Sequence, residues 1–271
     1  MKSRAQSVGK EAPLYPDNED AWRADDISGL WAVADGAGGT GVYAGEWAQH
    51  LVQHLPSTHI RNVANLTDWL DVHWESFFSV YHAQARANYL IEQKFMEEGS
   101  CATLTSLHVG ENQLNWMVYG DAIALCFRPE TNELWASTTN IHQFDAAPCL
   151  INWQMPLVSD GFLTGSWQHQ PGQHYALLSD ALGQYVLMAY AAFQEDKSTL
   201  YELAQQPTRL GNWAQAHSCF WETGNAQFQE AVWYPLYSAL ASSDRFLSYT
   251  QRLRHQQLLG SDDYTCILIT D

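Results

Sequence analysis

Positive charge is scarce in this chain: its 271 residues carry 13 Lys and Arg against 30 Asp and Glu, a formal net charge of −17. A nucleic-acid partner needs a clustered basic face to meet its phosphates. The nearest such cluster is the short group Arg252, Arg254 and His255, so nucleic acid is excluded as a partner. Long apolar runs are also missing. The longest nonionic apolar-rich stretch, around Tyr185 to Phe193, is about half the ~20 residues a membrane-spanning helix needs. The start, Met1-Lys2-Ser3-Arg4-Ala5-Gln6, is polar with no apolar export segment behind it. No membrane association and a cytoplasmic location are the expectation. The 5 cysteines are odd in number and lack close pairs, which argues against a disulfide framework or a thiolate zinc site and for free thiols in a reducing compartment. No Ser-rich or Pro-rich linker and no repeat divides the sequence, and the expected organisation is a single domain over 1–271.

What is abundant is material for a core: 46% hydrophobic residues, with 12 Trp, 13 Tyr and 10 Phe. Residues 1–14 are predicted as a loose N-terminal arm. A hairpin follows, from Asn18-Glu19-Asp20-Ala21-Trp22 through the turn residues Asp25 to Gly29 to the apolar run Leu30 to Ala34. Gly36-Ala37-Gly38-Gly39-Thr40-Gly41 is too glycine-rich for either regular element and is predicted as a loop. Ala44, Trp47, Ala48, Leu51, Val52 and Leu55 recur at the spacing of one buried helix face. Leu66 to Phe95 carries a second helical pattern, as one helix or two. Short strands are predicted over Ala102–Val109, Leu114–Tyr119, Ala122–Phe127, Glu133–Ser137 and His174–Ser179, joined in part by hairpin-length turns such as Gly120-Asp121. A helical, flap-like insertion is expected over 182–259, then a last strand, Tyr264 to Thr270. Helices bracketed by hairpins predict an α+β sandwich of mainly antiparallel sheets.

Several carboxylates share one local setting. Glu19 and Asp20 open the first hairpin, Asp35 ends its second strand just before Gly36, Asp121 lies in a turn, Asp180 follows Leu177-Leu178-Ser179, and Asp262 precedes the last strand. Strand ends hold side chains firmly yet leave them open to solvent, so such residues can converge on one rim. Gathered carboxylates repel one another unless a cation sits between them. All-oxygen ligands without His or Cys suit magnesium or manganese rather than zinc.

In this order and context the residues resemble the type 2C metal-dependent serine/threonine protein phosphatases, in their bacterial form. The resemblance rests on Asn18-Glu19-Asp20-Ala21, on Val33-Ala34-Asp35-Gly36-Ala37-Gly38-Gly39 with Gly45-Glu46-Trp47-Ala48, on Gly99-Ser100-Cys101-Ala102-Thr103-Leu104 with Tyr119-Gly120-Asp121, and on Leu178-Ser179-Asp180 and Asp262-Asp263-Tyr264-Thr265. The resemblance implies a four-layer αββα sandwich and a hydrolase active in bacterial signalling. Its site would hold two Mn2+ or Mg2+ ions, with a third, weaker one. Asp35 would bridge the pair with the Gly36 carbonyl facing one ion, Asp180 and Asp262 would hold the first metal, Glu19 and Asp20 would act through waters, and Asp121 would match the third ion. Asp35, Asp180 and Asp262 would thus serve catalysis through a metal-activated water. Substrates would be phosphoserine and phosphothreonine in proteins, and a cognate serine/threonine kinase or its targets would be the partners.

The sequence departs from the pattern in places. Tyr15 stands where many members have an Arg that grips the substrate phosphate, and Lys10 and Arg23 are the candidate replacements. Ala37 follows Asp35-Gly36 where eukaryotic members place a His. Ala181 and Ala122 replace the usual neighbours of Asp180 and Asp121, and neither change removes a ligand. The alternative function is a catalytically weak or inactive phosphatase-like module that binds a partner, suggested by Tyr15 and by the aromatic stretch Trp213 to Trp233. Other constellations carry less. His50 and His54, at i, i+4, are expected as surface histidines, and Gly36 to Gly41 lacks the ending of a nucleotide loop. Ser159-Asp160-Gly161 imitates the late aspartate motif, but its flanks read as loop.

Overall fold

The computed structural model describes residues 1–221 and 227–271. The chain opens with β1 (Lys2–Val8), β2 (Ala21–Asp25), β3 (Leu30–Ala34) and β4 (Gly36–Gly41), then α1 (Ala44–His54), α2 (Val63–Ala85) and α3 (Tyr89–Glu98). Next come β5 (Ser100–Ala102), β6 (Leu104–Val109), β7 (Gln113–Tyr119), β8 (Ile123–Arg128), β9 (Glu133–Ala136), β10 (Phe162–Gln168) and β11 (His174–Leu178). Helices α4 (Asp180–Phe193), α5 (Ser198–Ala204), α6 (Arg209–Trp221), α7 (Tyr234–Ala239) and α8 (Ser243–His255) precede the final β12 (Tyr264–Thr270). One five-stranded sheet has the order β1-β12-β11-β8-β9 and the other β10-β7-β6-β3-β2, with antiparallel pairing in both.

Side-chain alternation along the strands builds the layers, because successive residues point to opposite faces. On β3, Leu30, Ala32 and Ala34 join α1 to α3 in one core, while Trp31 and Val33 face the other sheet. On β11, Ala176 and Leu178 pack with α4 to α8, and Tyr175 and Leu177 meet Trp31 and Val33 in the central core. Three apolar layers therefore separate helices, sheet, sheet and helices, the αββα arrangement.

The expected face of α1 is the buried one, with Ala44, Trp47, Ala48, Leu51 and Val52 inside. The long helical pattern resolves into two helices. The first ends at Ala85 with Arg86 as its cap, and Asn88 caps the second, its side chain accepting from the Leu90 and Ile91 N–H groups.

Five expectations need correction. The N-terminal arm is a strand over most of its length: Lys2 to Val8 pair with Thr270 to Tyr264. Its Lys-Ser-Arg-Ala-Gln-Ser-Val sequence hides this, because an edge strand gains its place from backbone hydrogen bonds and tolerates polar side chains. The glycine-rich segment is also paired, Gly36 with Ala102 and Gly41 with Ser100, and residues without side chains display no alternation to read. The residues after Ser159-Asp160-Gly161 form β10, a mostly exposed edge strand on β7. Gly120-Asp121 is no hairpin turn, since β7 and β8 lie in different sheets and this dipeptide carries the chain between them. Finally, the described residues of 182–259 are helical as expected but pack as a core layer rather than a flap. Leu182, Tyr185, Val186, Met188, Trp233, Leu236 and Phe246 are buried in the helical layer over the first sheet. Of the aromatic stretch Trp213 to Trp233, residues 222–226 lie outside the described residues.

Candidate metal and phosphate site

The antiparallel pairings put the ends of β3, β7 and β11 and the starts of β2, β8 and β12 at one end of the two sheets. The singled-out carboxylates sit at those six positions. Glu19, Asp35, Gly36, Asp121, Asp180 and Asp262 line one cavity of about 450 Å3. Asp20 lies beside it, 8% exposed, with neither carboxylate oxygen meeting a hydrogen-bond partner. Among the described residues, no group of three or more His, Cys, Asp or Glu side chains is drawn together as a ready-made metal cage.

Local structure fixes each group. Asp35 is clamped through its backbone to Thr103: its N–H donates to Thr103 Oγ1 at 3.2 Å, and the Thr103 N–H donates to the Asp35 carbonyl at 2.8 Å. Thr103 also lies against Gly120, whose φ of 108° is glycine's territory and where a Cβ would stand 2.6 Å from the Thr103 methyl. Gly36 donates to the Glu19 carbonyl at 3.1 Å, and a Cβ there would meet that oxygen at 2.5 Å and the Ala44 carbonyl at 2.8 Å. At Gly38 a Cβ would collide with the Glu19 carboxylate itself. Asp180 sits in the first turn of α4, where the positive helix end faces its charge.

Asp263, which the sequence reading passed over, ties the site together. Its carboxylate accepts the Lys10 N–H at 2.8 Å and the Glu19 N–H at 2.7 Å, fastening two N-terminal segments to the residue beside Asp262.

The electrostatics record how closely these groups crowd. Burial pushes the Asp20 carboxyl up to about 7, with Asp263 and Asp262 adding to it and the nearby Thr265 and Asp35 side chains holding it back in part. Burial, then Asp20, Asp180, Asp121 and Asp262, holds the Asp35 carboxyl well above the carboxylate range. Asp180 is raised likewise by burial and by Asp121 and Asp262, and Asp121 is pushed up to about 6, chiefly by burial. Asp262 is raised by burial against the pull of Lys10 and Arg209.

Two cations line the cavity. Lys10 Nζ lies 3.9 Å from Glu19. Burial works against its charge, but Asp263, Glu19, Asp262 and Asp35 outweigh it, and its pKa is raised. The second is Arg209, at the start of α6, with its guanidinium 4.4 Å from the ring centre of Trp213. Arg23 is elsewhere. It donates to the carbonyls of Gln53 and Leu55 at 3.4 and 3.2 Å and pairs with Asp25 at 3.6 Å, closing the end of α1. Arg23 therefore does not line the cavity, and Arg209, which sequence reasoning missed, is the guanidinium that does. A second omission is the segment around Phe144, Asp145 and Leu150, which forms another wall of the cavity.

The residues fit a pair of hard divalent cations. Six carboxylates, those of Glu19, Asp35, Asp121, Asp145, Asp180 and Asp262, face one cavity against two cationic side chains. Behind them, the two buried oxygens of Asp20 make no hydrogen bond of normal geometry, and the nearby Thr265 hydroxyl offsets only part of their burial. Buried acceptors of this kind are costly without a cation or a proton, and the donor set is all oxygen.

No protein-family model matches the chain, and no curated protein matches it in sequence. Solved structures do match. The serine/threonine phosphatase of S. agalactiae superposes with a TM-score of 0.51 at 13% identity, covering 100% of this chain and 99% of that one. Stp1, a serine/threonine phosphatase from Staphylococcus aureus, gives 0.50 at 14% identity over 100% and 96%. PppA of Pseudomonas aeruginosa, a key regulatory component of T6SS there, gives 0.50 at 17% identity over 99% and 96%. At these identities the likeness concerns the fold, and the fold is that of bacterial serine/threonine phosphatases.

Proposed function

We propose that this chain, acting as one domain, is a metal-dependent phosphatase that hydrolyses phosphoserine and phosphothreonine in proteins. The observation that carries the reading is the convergence of Glu19, Asp35, Asp121, Asp180 and Asp262 on one cavity at the end of both sheets. Two Mn2+ or Mg2+ ions held there would polarise a phosphoryl oxygen and lower the pKa of a water between them. Asp35, Asp180 and Asp262 are the ligands in this reading, with the Gly36 carbonyl beside them. Glu19 and Asp20 would act through waters, and Asp121 would match a third, weaker ion.

The chain's own groups do the rest. Thr103 fixes the backbone of Asp35, so that the carboxylate reaches the cavity at a set angle. Lys10 and Arg209 bring positive charge to the mouth and receive the substrate phosphate in place of the arginine missing at Tyr15. Asp263 keeps Lys10 and Glu19 in register with Asp262. The test is phosphate release from a small aryl phosphate and from phosphopeptides, with and without manganese. Turnover that needs manganese supports the reading, and its absence on every substrate overturns it.

A second reading, a phosphatase-like module that keeps the metals and binds without hydrolysing, draws on Tyr15, which is exposed and stands where the resemblance places a phosphate-gripping Arg. Calorimetry with manganese alongside the turnover assay separates the two. Binding without hydrolysis favours the module, whose natural partner would be a phosphorylated signalling protein or its kinase.

A further inference from the structure

A groove of about 570 Å3 opens beside the acidic cavity, around the start of α1, and the two share Glu19. Its aromatic lining comes from Tyr43, the residue before α1, and from Phe77 and Tyr81 on α2. The rings of Tyr43 and Tyr81 are 5.1 Å apart, and Tyr81 stacks on the buried Phe77 at 4.3 Å. Both tyrosines are half-buried, so the groove has a ring-walled floor that solvent still reaches.

The charge in the groove is of one sign. Asp17, Glu19 and Glu46 line it, and no Lys or Arg does. His50, also in the lining, has its pKa lowered, chiefly by burial, and is neutral. Lys10 lies 3.9 Å from Glu19, but it lines the acidic cavity and not the groove. Asp17 and Glu46 are exposed and enter no ion pair among the described residues. The Glu46 carboxylate stands close enough to both phenols to add to the effect of burial on each. Aromatic rings with a carboxylate beside them suit a guanidinium or an ammonium. The ring face attracts the cation, and the carboxylate accepts its N–H groups in charge-assisted hydrogen bonds. An anion would be repelled, and an apolar side chain would leave the carboxylates unanswered.

We propose that this groove seats an arginine or lysine side chain of the phosphoprotein, at one fixed offset along the chain from the phosphorylated residue in the acidic cavity. The inference rests on the phosphatase reading for what fills that cavity, and it narrows the substrate class to phosphoserine or phosphothreonine with a basic neighbour. Glu46 is the specificity-determining carboxylate, and Glu19 marks the junction of groove and cavity.

The experiment uses the native chain with manganese and phosphoserine peptides that are neutral except for one arginine, moved stepwise along either side of the phosphoserine at constant ionic strength. For each peptide kcat/KM is read beside that of a small aryl phosphate, which is too short to reach the groove. One position that gains about tenfold over the arginine-free peptide, with the gain lost in Glu46→Gln and kept in Glu111→Gln, supports the groove. Glu46 is exposed in the first turn of α1, so Glu46→Gln should leave aryl phosphate turnover unchanged. The proposal is overturned by the lack of a preferred position, by an equal gain at every position, or by a gain that Glu46→Gln leaves untouched. A gain lost equally in Glu111→Gln, or a parallel loss of aryl phosphate turnover in Glu46→Gln, overturns it as well. Should the aryl phosphate itself not be turned over, the phosphatase reading fails. The peptides then survive, and the same positional comparison is read from their affinities by calorimetry, with the same supporting and overturning outcomes.

Discussion

The acidic cavity and the surroundings of the buried His108 on β6 face the same physical problem with opposite signs. In both, burial favours the neutral form of an ionisable side chain. The Asp20 carboxyl is pushed up to about 7 and the His108 imidazole down to about 4. In the first region crowded anions add to the burial, and in the second neighbouring cations do. One molecule thus holds a carboxyl and an imidazole that burial drives to neutrality from opposite directions, at separate places.

That contrast gives the two regions opposite pH behaviour. A carboxyl whose folded pKa lies above its unfolded value binds more protons in the native state. Its cost to stability is therefore absent below about pH 4 and grows as pH rises towards 7 in metal-free protein. For an imidazole lowered from 6.5 to about 4, the unfolded chain binds the extra proton, so stability falls as pH drops through that window.

The largest expected effect comes from Asp35→Asn. Manganese-dependent phosphate release should fall at least about 100-fold with an unchanged circular dichroism spectrum, because the change removes charge from the cavity and leaves the Thr103 clamp intact. Full activity in this variant would break the assignment of the acidic region. Next is the pH contrast. Urea unfolding of metal-free protein should show Asp20→Asn stabilising at pH 8 and doing little at pH 4. His108→Gln should do the reverse, flattening the loss of stability between pH 6.5 and 4 by on the order of 3 kcal/mol. Slopes of the same sign in both variants would erase the distinction between the regions. Arg209→Ala should raise KM for a phosphopeptide about tenfold with a smaller change in kcat, the pattern of a lost phosphate contact. Arg23→Ala should leave both constants unchanged, since its guanidinium serves the end of α1. Smallest of all, His54→Ala should leave turnover and manganese affinity at wild-type values in the same assay. His54 is exposed, and its Nδ1 is engaged by the His50 carbonyl at 2.9 Å.

The acidic cavity was legible because its members sit where the backbone announces them. Asp35 before Gly36, Asp121 after Gly120, and Asp180 and Asp262 at strand boundaries are turn and strand-end positions visible in the sequence. Apolar periodicity likewise exposed α1 and β12. What escaped was polar or lacked side chains. β1 is a polar edge, and β4 is mostly glycine. Arg209 opens a helix within the 182–259 region, far along the chain from the aspartates it faces, and no local pattern links them. His108 lies in a run that alternates like any buried strand, so its burial beside His59 became visible only with the fold. Lys10 was named as a candidate for its place before the acidic motif, and the Asp263 carboxylate supplies the tether that the sequence could not show.

The pairing of β1 with β12, reinforced by Asp263, has a temporal consequence. A ribosome delivers residues 2–8 some 250 residues before residues 262–270, so the acidic cavity lacks one wall throughout that interval. Completion of the carboxylate cluster must wait until the late strand docks. A nascent chain stalled short of residue 260 would display Asp20 and Asp35 to solvent without Asp262 to complete their cluster. Non-local closure of this kind is slow compared with helix or hairpin formation, which makes docking of the last strand the natural step for a folding helper, or a competing peptide, to intercept.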